Sequence, residues 1–235
     1  MAIFAVVMIY PLISNVRYVT IIADVDIRCQ AIYNDHYERT AMPRQRTFDT
    51  DEALEAVLRV FWSKGYEGTS YSDLVAATGV ERPALYSAFG NKEAMFLRAL
   101  ERYASNYGNY VWEALREPTS RRVATRVLEG AAELTTRYAS NTGCLGINGA
   151  LAASDDAEPA RRALIEWRAA GEEALRQRFE QAKKEGDLPK DADPATLAAF
   201  LLAVSHGIAV QAKAGFSQDK LLQVARQAVN TWPGA

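Results

Sequence analysis

The sequence has few of the residues that build metal sites and disulfides. Its 235 residues include only two cysteines, Cys29 and Cys144, and two histidines, His36 and His206. Disulfide-rich folds need several cysteines, and structural zinc sites need clusters of cysteine or histidine. We therefore expect no metal, no cofactor and no disulfide framework, as is typical of a protein of the reducing cytoplasm.

A basic surplus and enzyme fingerprints are missing as well. Lys and Arg number 27 against 29 Asp and Glu, which gives a formal net charge of −2. Nucleic-acid-binding proteins usually carry a basic surplus that neutralises phosphates, so the overall balance argues against this class. The chain has no G-x-S-x-G, P-loop or dinucleotide-binding fingerprint, and it is not predicted to be an enzyme.

Strand-like and membrane-spanning patterns are almost absent. The only strand-like stretch is 16–27, and the apolar stretch 1–13 is shorter than the roughly 20 residues that a membrane span needs. No membrane partner is expected. Because Met42 opens a polar segment that resembles a natural start, one hypothesis is that residues 1–41 lie upstream of the true start. The alternative is a genuine extra segment packed on the body of the protein.

From residue 49 onward the apolar residues recur with the period of an α-helix. The first helix has its apolar face at Leu54, Val57, Leu58, Phe61 and Trp62. Later helices are predicted over about 92–115, 120–140, 145–153, 158–185, 194–214 and 217–231. The sequence therefore predicts an all-α fold in which a small head of three helices precedes a larger helical body.

Residues 70–89 have the spacing of a helix-turn-helix. Ser70 and Asp73 give the S-x-x-D start of a short helix, and Gly79 suits the tight turn that follows it. A second short helix then runs to about Phe89. Such a helix can enter a DNA major groove about 12 Å wide while its apolar face holds it against the first helix.

The segment FWSKGYEGTSYSDLVAATGVERPALYSAFGNKEAMF closely resembles the DNA-binding head of the TetR/AcrR family of bacterial regulators. The matching residues are Phe61, Gly65, Tyr66, Thr69, Ser70, Asp73, Leu74, Gly79, Val80, Leu85, Tyr86, Phe89, Lys92 and Glu93. The resemblance implies a DNA-binding domain over 42–98 and a helical ligand-binding and dimerisation domain over 99–235. It implies a cytoplasmic bacterial transcriptional regulator, a repressor that a small-molecule effector releases from a roughly palindromic operator.

The resemblance also implies DNA contacts residue by residue. These are Arg44 and Arg46 in an N-terminal arm, Thr69, Ser70 and Tyr71 at the first short helix, Arg82, Pro83, Ala84, Tyr86 and Ser87 on the recognition helix, and Lys92 beyond it. Arg82 is the candidate for reading a guanine, since a guanidinium can bond O6 and N7 together. Many relatives have Lys-Gly in place of Arg82-Pro83, which leaves the base preference open but not the docking mode.

Simpler roles stand beside these contacts. Ser70 is also a good helix N-cap, Tyr86 could be a core aromatic, and Lys92 could be a solvated cation. Residues 42–98 hold seven basic and eight acidic residues, so even the head is not basic overall. Four of its cations, Arg44, Arg46, Arg82 and Lys92, nevertheless fall on the arm, the recognition helix and the segment after it. We expect few phosphate contacts per head and a modest non-specific affinity.

The helical body is expected to dimerise and to bind the effector. The family's intersubunit bundle matches residues 194–232, and burial in the monomer core is the alternative for that apolar stretch. The candidate pocket residues are Tyr103, Tyr107, Tyr110, Tyr138, Cys144, Asn148, Trp167 and His206. For any one of the aromatic residues, ordinary core packing is the simpler role.

Cys144 allows two other functions. The segment containing it resembles a subset of TetR-like regulators, some of which use a cysteine to sense electrophiles or oxidants, whereas the simpler role is an inert buried cysteine. In a different class, Cys144 with His36 or His206 could serve an enzyme, which requires a base within hydrogen-bonding reach. A helical adaptor that no longer binds DNA is the remaining alternative.

Overall fold

The computed structural model describes residues 48–140, 142–148 and 157–233. Residues 1–41, the strand-like stretch 16–27 and the arm residues Arg44 and Arg46 lie outside this part of the chain. The hypothesis of a start at Met42 and the predicted role of the arm therefore stay predictions.

The described residues form helices joined by short loops. The helices are α1 (Thr50–Lys64), α2 (Tyr71–Thr78), α3 (Arg82–Phe89), α4 (Lys92–Asn106), α5 (Tyr110–Ala114), α6 (Ser120–Thr136), α7 (Leu145–Asn148), α8 (Glu158–Glu185), α9 (Pro194–Lys213) and α10 (Gln218–Asn230). No strand occurs in these ranges. The predicted all-α class is confirmed, with α1–α3 as the head and the later helices as the body.

Side-chain caps fix the starts of the head helices. The Asp49 carboxylate accepts hydrogen bonds from the first free amides of α1. Ser70 and Asp73 form a reciprocal capping box at α2, and Asn91 caps α4 through the amide of Ala94. At the end of α2, Gly79 adopts a left-handed conformation with φ of 66°. These capping and turn signals place the elements as the sequence predicts.

The long helix predicted over 92–115 is wrong, because the chain breaks between α4 and α5. The amides of Tyr107 and Gly108 both donate to the carbonyl of Tyr103, at 2.9 and 2.8 Å, so the regular hydrogen-bond pattern stops there. Glycine and Asn109 are weak helix formers. The break also brings Gly108 against the ring of Trp167, where a Cβ would lie only 3.2 Å from the indole.

Two clusters of buried side chains hold the described residues together. One joins α1–α4 to the segment 142–148 and to the start of α8, and the other joins α5, α6 and the rest of α8 to α9 and α10. The first cluster therefore crosses the expected boundary between head and body. Its largest members include Trp62 and Tyr103, both fully buried.

Helix α9 is the most apolar element of the described chain. It is long and apolar enough to cross a membrane by length and composition, with 20 residues and a mean hydropathy of 1.6. Seven of its side chains are nevertheless buried in the protein, where α9 packs on α6 and α8. Phe200 and Val210 remain exposed on its surface. We therefore interpret α9 as a core helix that also presents an apolar outer face.

The Trp167 ring packs closely against Gly108 and Gly146, and this packing can be tested. A Cβ at Gly146 would overlap the ring of Trp167, whereas a Cβ at Gly171 would meet open space. We expect Gly146→Ala to lower the free energy of unfolding by about 1–3 kcal/mol through overpacking. Gly171→Ala, within α8, should raise it by about 0.5–1 kcal/mol through helix propensity.

Urea denaturation followed by circular dichroism measures both variants. The matched pair controls for the change from glycine to alanine in a helix. Equal stabilities for the two variants would contradict the packing of Trp167 on Gly146.

Candidate functional site: the helix-turn-helix surface and the body cavity

Helix α3 turns one face inward and one face outward. Leu85 and Phe89 are buried against α1, α2 and α4, as predicted. The predicted recognition residues divide by exposure. Arg82, Pro83, Tyr86 and Ser87 are exposed, whereas Ala84 is partly buried and packs against the core. The first turn and the middle of α3 therefore form the accessible part of the recognition helix.

At the start of α2, two neighbouring hydroxyls have different surroundings. Ser70 is exposed, and its hydroxyl both caps α2 and donates to the Asp73 carboxylate at 2.8 Å. Lys64, 2.5 Å from the same carboxylate, and Ser70 together hold the pKa of Asp73 well below its usual range. The cap role of Ser70 is therefore real, and its exposed edge stays accessible.

Thr69 requires a correction. Its side chain is only 2% exposed, and its hydroxyl donates to the carbonyl of Gly65 at 2.7 Å. A hydroxyl that is buried and already bonded cannot meet a DNA phosphate without opening the loop after α1. The side-chain contact expected for Thr69 is thus replaced by a structural role in this loop.

Three side chains of α2 and α3 form one cluster on the head surface. The Tyr71 and Tyr86 rings stack with centroids 5.2 Å apart, and the Tyr71 hydroxyl donates to that of Tyr86 at 2.6 Å. The guanidinium of Arg82 lies 4.0 Å from the centre of the Tyr71 ring and 5.6 Å from that of the Tyr86 ring. The hydrogen bond from Tyr71 and the nearby Arg82 lower the pKa of Tyr86, whereas burial raises the pKa of Tyr71.

Lys92 stands at the first position of α4, beside this cluster. Its backbone amide donates to the Tyr71 hydroxyl at 2.9 Å, and its ammonium lies 4.6 Å from the centre of the Tyr66 ring. Partial burial lowers the pKa of Lys92, and the charge of Glu67 opposes this shift. The ammonium is therefore held near the head surface by a cation–π contact and is not a freely solvated cation.

A cavity lies in the body between α5, α6, α7, α8 and α9. Its volume is about 40 Å³. Four of the candidate pocket residues line it, namely Tyr110, Cys144, Trp167 and His206. Sequence reasoning missed Arg168 and Ser205, which also line it, because single polar residues in long helices give no distinguishing signal. Burial and the charge of Arg168 lower the pKa of His206.

The other four candidate pocket residues lie outside the cavity lining. Tyr103 is fully buried, and its hydroxyl donates to the Cys144 sulfur at 3.2 Å. The Tyr107 hydroxyl donates to Glu55 of α1 at 2.5 Å. Burial and this hydrogen bond raise the pKa of Tyr107 to about 12. Tyr138 packs edge-on against Trp62. These tyrosines form an aromatic core between α1 and the body, so their predicted place in the pocket is corrected.

Asn148, the fourth of these, ties the segment 142–148 to α1. Its side-chain amide donates to the carbonyl of Trp62 at 3.0 Å, and the Trp62 indole donates to the carbonyl of Gly143 at 2.9 Å. The indole bond is buried, so the loss of either partner would leave a desolvated polar group. The segment that carries Cys144 and Ile147 to the cavity is thus bonded at both ends to one residue of α1.

Cys144 does not have the surroundings of a reactive thiolate. It is 7% exposed, and burial raises the pKa of its thiol, although the hydrogen bond from Tyr103 and the charge of Arg168 oppose this shift. Its sulfur partner is a tyrosine hydroxyl and not a histidine base, and His36 lies outside the described residues. Within the described ranges, no group of three His, Cys, Asp or Glu side chains could hold a metal ion.

Comparison with known proteins identifies the family of the chain. Residues 53–99 match the model described as bacterial regulatory proteins, tetR family, and residues 121–229 match the tetracyclin repressor-like C-terminal domain. The transcriptional repressor ComR of Escherichia coli is 33% identical over 193 residues, which cover 81% of this chain and 91% of ComR. The repressor AcnR of Corynebacterium glutamicum is 29% identical, covering 76% of this chain and 89% of AcnR.

A solved structure shares both the head and the body. A cysteine-substituted form of the TetR family transcriptional regulator CifR, complexed with a 26-base-pair operator duplex, superimposes with a TM-score of 0.76. It is 35% identical, and the match covers 81% of this chain and all of that one. These matches extend over both the head and the body described above. The named relatives of this chain are regulators and not enzymes. The chain belongs to the TetR family of bacterial transcriptional regulators.

Proposed function

We propose that this protein is a repressor of the bacterial cytoplasm that binds a roughly palindromic operator as a homodimer and leaves it when a small molecule enters the body cavity. The observation that carries the DNA-binding role is the exposed face of α3, where Arg82, Tyr86 and Ser87 project from a helix braced by a buried apolar face. We assign DNA binding to residues 42–98 and effector binding with dimerisation to residues 99–235. ComR is itself named a repressor, and CifR is seen on operator DNA.

The apolar outer face of the last two helices supports the dimer. Phe200 and Val210 on α9 and Val224 on α10 are each more than 40% exposed. Large exposed apolar side chains on two helices in contact are typical of a surface that another protein covers. A two-fold dimer through about 194–232 would place two recognition helices one helical turn of DNA, or a multiple of it, apart.

The cavity lining suggests the chemical class of the effector. Tyr110, Trp112 and Trp167 supply aromatic surface, whereas Arg168 and Ser205 supply hydrogen-bond donors. This combination suits a flat, mainly apolar molecule that carries an anionic or hydrogen-bond-accepting group. The cavity of about 40 Å³ is far smaller than the roughly 300–1,000 Å³ of pockets that enclose drug-sized ligands. Such a molecule must therefore displace the lining when it binds.

The displaced lining provides a route to the DNA-binding head. Ile147 and Cys144 line the cavity, and the same segment is bonded to Trp62 through Gly143 and Asn148. Outward movement of this segment strains its bonds to α1, the helix against which α2 packs. An effector that binds the expanded cavity more tightly than the compact one shifts the population toward the arrangement with weaker operator affinity.

Electrophile sensing by Cys144 is the second mode of release that the sequence allows. The burial of the thiol and its raised pKa keep it protonated at neutral pH, which disfavours direct attack on an electrophile. We therefore favour non-covalent release. Electrophile sensing would require the cavity to open first.

The assignment of DNA contacts predicts different defects for Arg82→Ala and Lys92→Ala. Arg82→Ala should change the preferred operator sequence, with a loss of about 1–3 kcal/mol at operators that carry the recognised guanine. Lys92→Ala should weaken all operators similarly and reduce the salt slope of binding by about one. Fluorescence anisotropy with duplexes from the DNA upstream of the protein's own gene, and with single-base variants of them, measures both.

Arg162→Ala is the control, since it removes an exposed charge of α8 in the body. It should leave operator binding unchanged. An equal loss at every operator for Arg82→Ala would refute base readout by this residue. No operator binding by the unaltered protein would favour the helical adaptor.

The proposed release mechanism predicts that filling the cavity mimics the effector. Gly171 lines the cavity and a Cβ there contacts nothing within 4 Å, so the side chain of Gly171→Phe has room to turn its ring into the cavity and push the lining outward. We expect operator affinity to fall about tenfold or more, within the usual range of allosteric coupling. Operator titration of the folded, dimeric variant measures the effect.

Gly171→Ala is the matched control, because a methyl group occupies the same site without filling the cavity. Its operator affinity should equal that of the unaltered protein. A crystal structure of Gly171→Phe shows whether the ring fills the cavity. If it does and this variant binds the operator as tightly as Gly171→Ala, the cavity is not coupled to the head.

A further inference from the structure

A chain of hydrogen bonds leads from the start of α4 to the surface of α3. The Lys92 amide donates to the Tyr71 hydroxyl at 2.9 Å, and the Tyr71 hydroxyl donates to the Tyr86 hydroxyl at 2.6 Å. Tyr71 is partly buried between the two elements, whereas Tyr86 is 39% exposed. The chain of bonds therefore ends on the exposed hydroxyl of the recognition helix.

The bonding capacity of the Tyr86 hydroxyl fixes its role. A phenolic oxygen can accept two hydrogen bonds and has one proton to donate. The oxygen of Tyr86 accepts one bond, from the Tyr71 hydroxyl. Because the Tyr71 hydroxyl supplies the proton of this bond, the Tyr86 hydroxyl keeps its own proton for another partner. A phosphate oxygen of the DNA backbone is an acceptor for that proton.

The first hydrogen bond of this series, from the Lys92 amide, makes the Tyr86 hydroxyl a stronger donor. The Lys92 amide belongs to the first turn of α4, where unpaired N–H groups carry the positive end of the helix dipole. Hydrogen bonds linked in series polarise one another, so each hydroxyl becomes a better donor to the next acceptor. The lowered pKa of Tyr86 agrees with this polarisation.

Arg82 is held by the same two tyrosines. Its guanidinium stacks 4.0 Å from the centre of the Tyr71 ring and 5.6 Å from that of Tyr86. A guanidinium on an aromatic face loses rotamer freedom before DNA arrives, while its remaining N–H groups stay available at the edge. Tyr71 thus contacts two of the α3 side chains that are assigned to DNA, Arg82 and Tyr86.

We propose that Tyr71 is a positioning residue for operator recognition, whose hydroxyl orients Tyr86 as a donor to a DNA phosphate and whose ring holds Arg82 for base contact. This inference rests on the proposed operator contacts of Tyr86 and Arg82. It assigns Tyr71 an indirect role, in place of the direct DNA contact that the family resemblance implies.

A double-mutant cycle on operator affinity tests the hydroxyl. Tyr71→Phe keeps the ring and removes only the oxygen, and we expect it to weaken operator binding about fivefold. Tyr86→Phe should weaken binding by at least as much. In the Tyr86→Phe background, Tyr71→Phe should have no further effect, because Tyr71 acts through Tyr86. Urea denaturation of each variant confirms that the head remains folded.

A second variant tests the ring. Tyr71→Leu should also relax the base preference toward that of Arg82→Ala, whereas Tyr71→Phe should leave the preference unchanged. A merely structural role for Tyr71 would lower affinity and stability without moving base preference.

Three outcomes would overturn the inference. Additive losses for Tyr71→Phe and Tyr86→Phe would mean that Tyr71 contacts DNA itself. A loss for Tyr86→Phe without one for Tyr71→Phe would mean that Tyr86 needs no orienting bond. If neither variant loses affinity for an operator that the unaltered protein binds, the proposed roles of Tyr71 and Tyr86 are wrong. The proposed DNA-binding function would stand.

Discussion

The described structure depends on the way Trp62 is bound at the end of α1. Its ring is fully buried and meets Tyr103, Tyr107 and Tyr138 edge-on, with ring centroids 4.8–5.9 Å apart. Its indole and its carbonyl hold the two ends of the segment 142–148. One residue of the head therefore supports the wall of the body cavity through its side chain and its backbone carbonyl. Because edge-to-face ring pairs and buried hydrogen bonds are directional, the two regions cannot shift independently at low cost.

Side chains that are held in place before binding explain how a protein with a net charge of −2 can bind DNA. The head has few cations to attract phosphates at long range, so it depends on fixing the groups that it has. Arg82 is stacked on Tyr71, and the Lys92 ammonium lies over the ring of Tyr66. Groups that are ordered before binding lose less conformational entropy when DNA arrives. Dimerisation then doubles the number of contacts without raising the charge of either head.

Much of this architecture could be predicted from sequence, because its signals are local. The caps at Asp49 and Ser70 and the apolar spacing of α1 set the head helices, and a dense family motif identified the DNA-binding surface. The break at Gly108 was missed because one glycine beside one asparagine does not by itself end a helix, and the Trp167 ring that packs there belongs to a residue 59 positions later in the chain. The pocket was predicted only in part for a related reason. Composition cannot separate an aromatic residue of the core, such as Tyr103, from one that lines a cavity.

The central claim is that the operator-binding head and the cavity wall form one coupled unit through Trp62. Hydrogen–deuterium exchange with and without operator duplex tests it most directly, because it reports on each segment without altering the protein. Binding of DNA to the head should slow exchange at the amides of Ile147 and Asn148, both of which donate to the carbonyl of Cys144 in the cavity wall. Slower exchange confined to α1–α3 and the start of α4, with the segment 142–148 unchanged, would contradict the account.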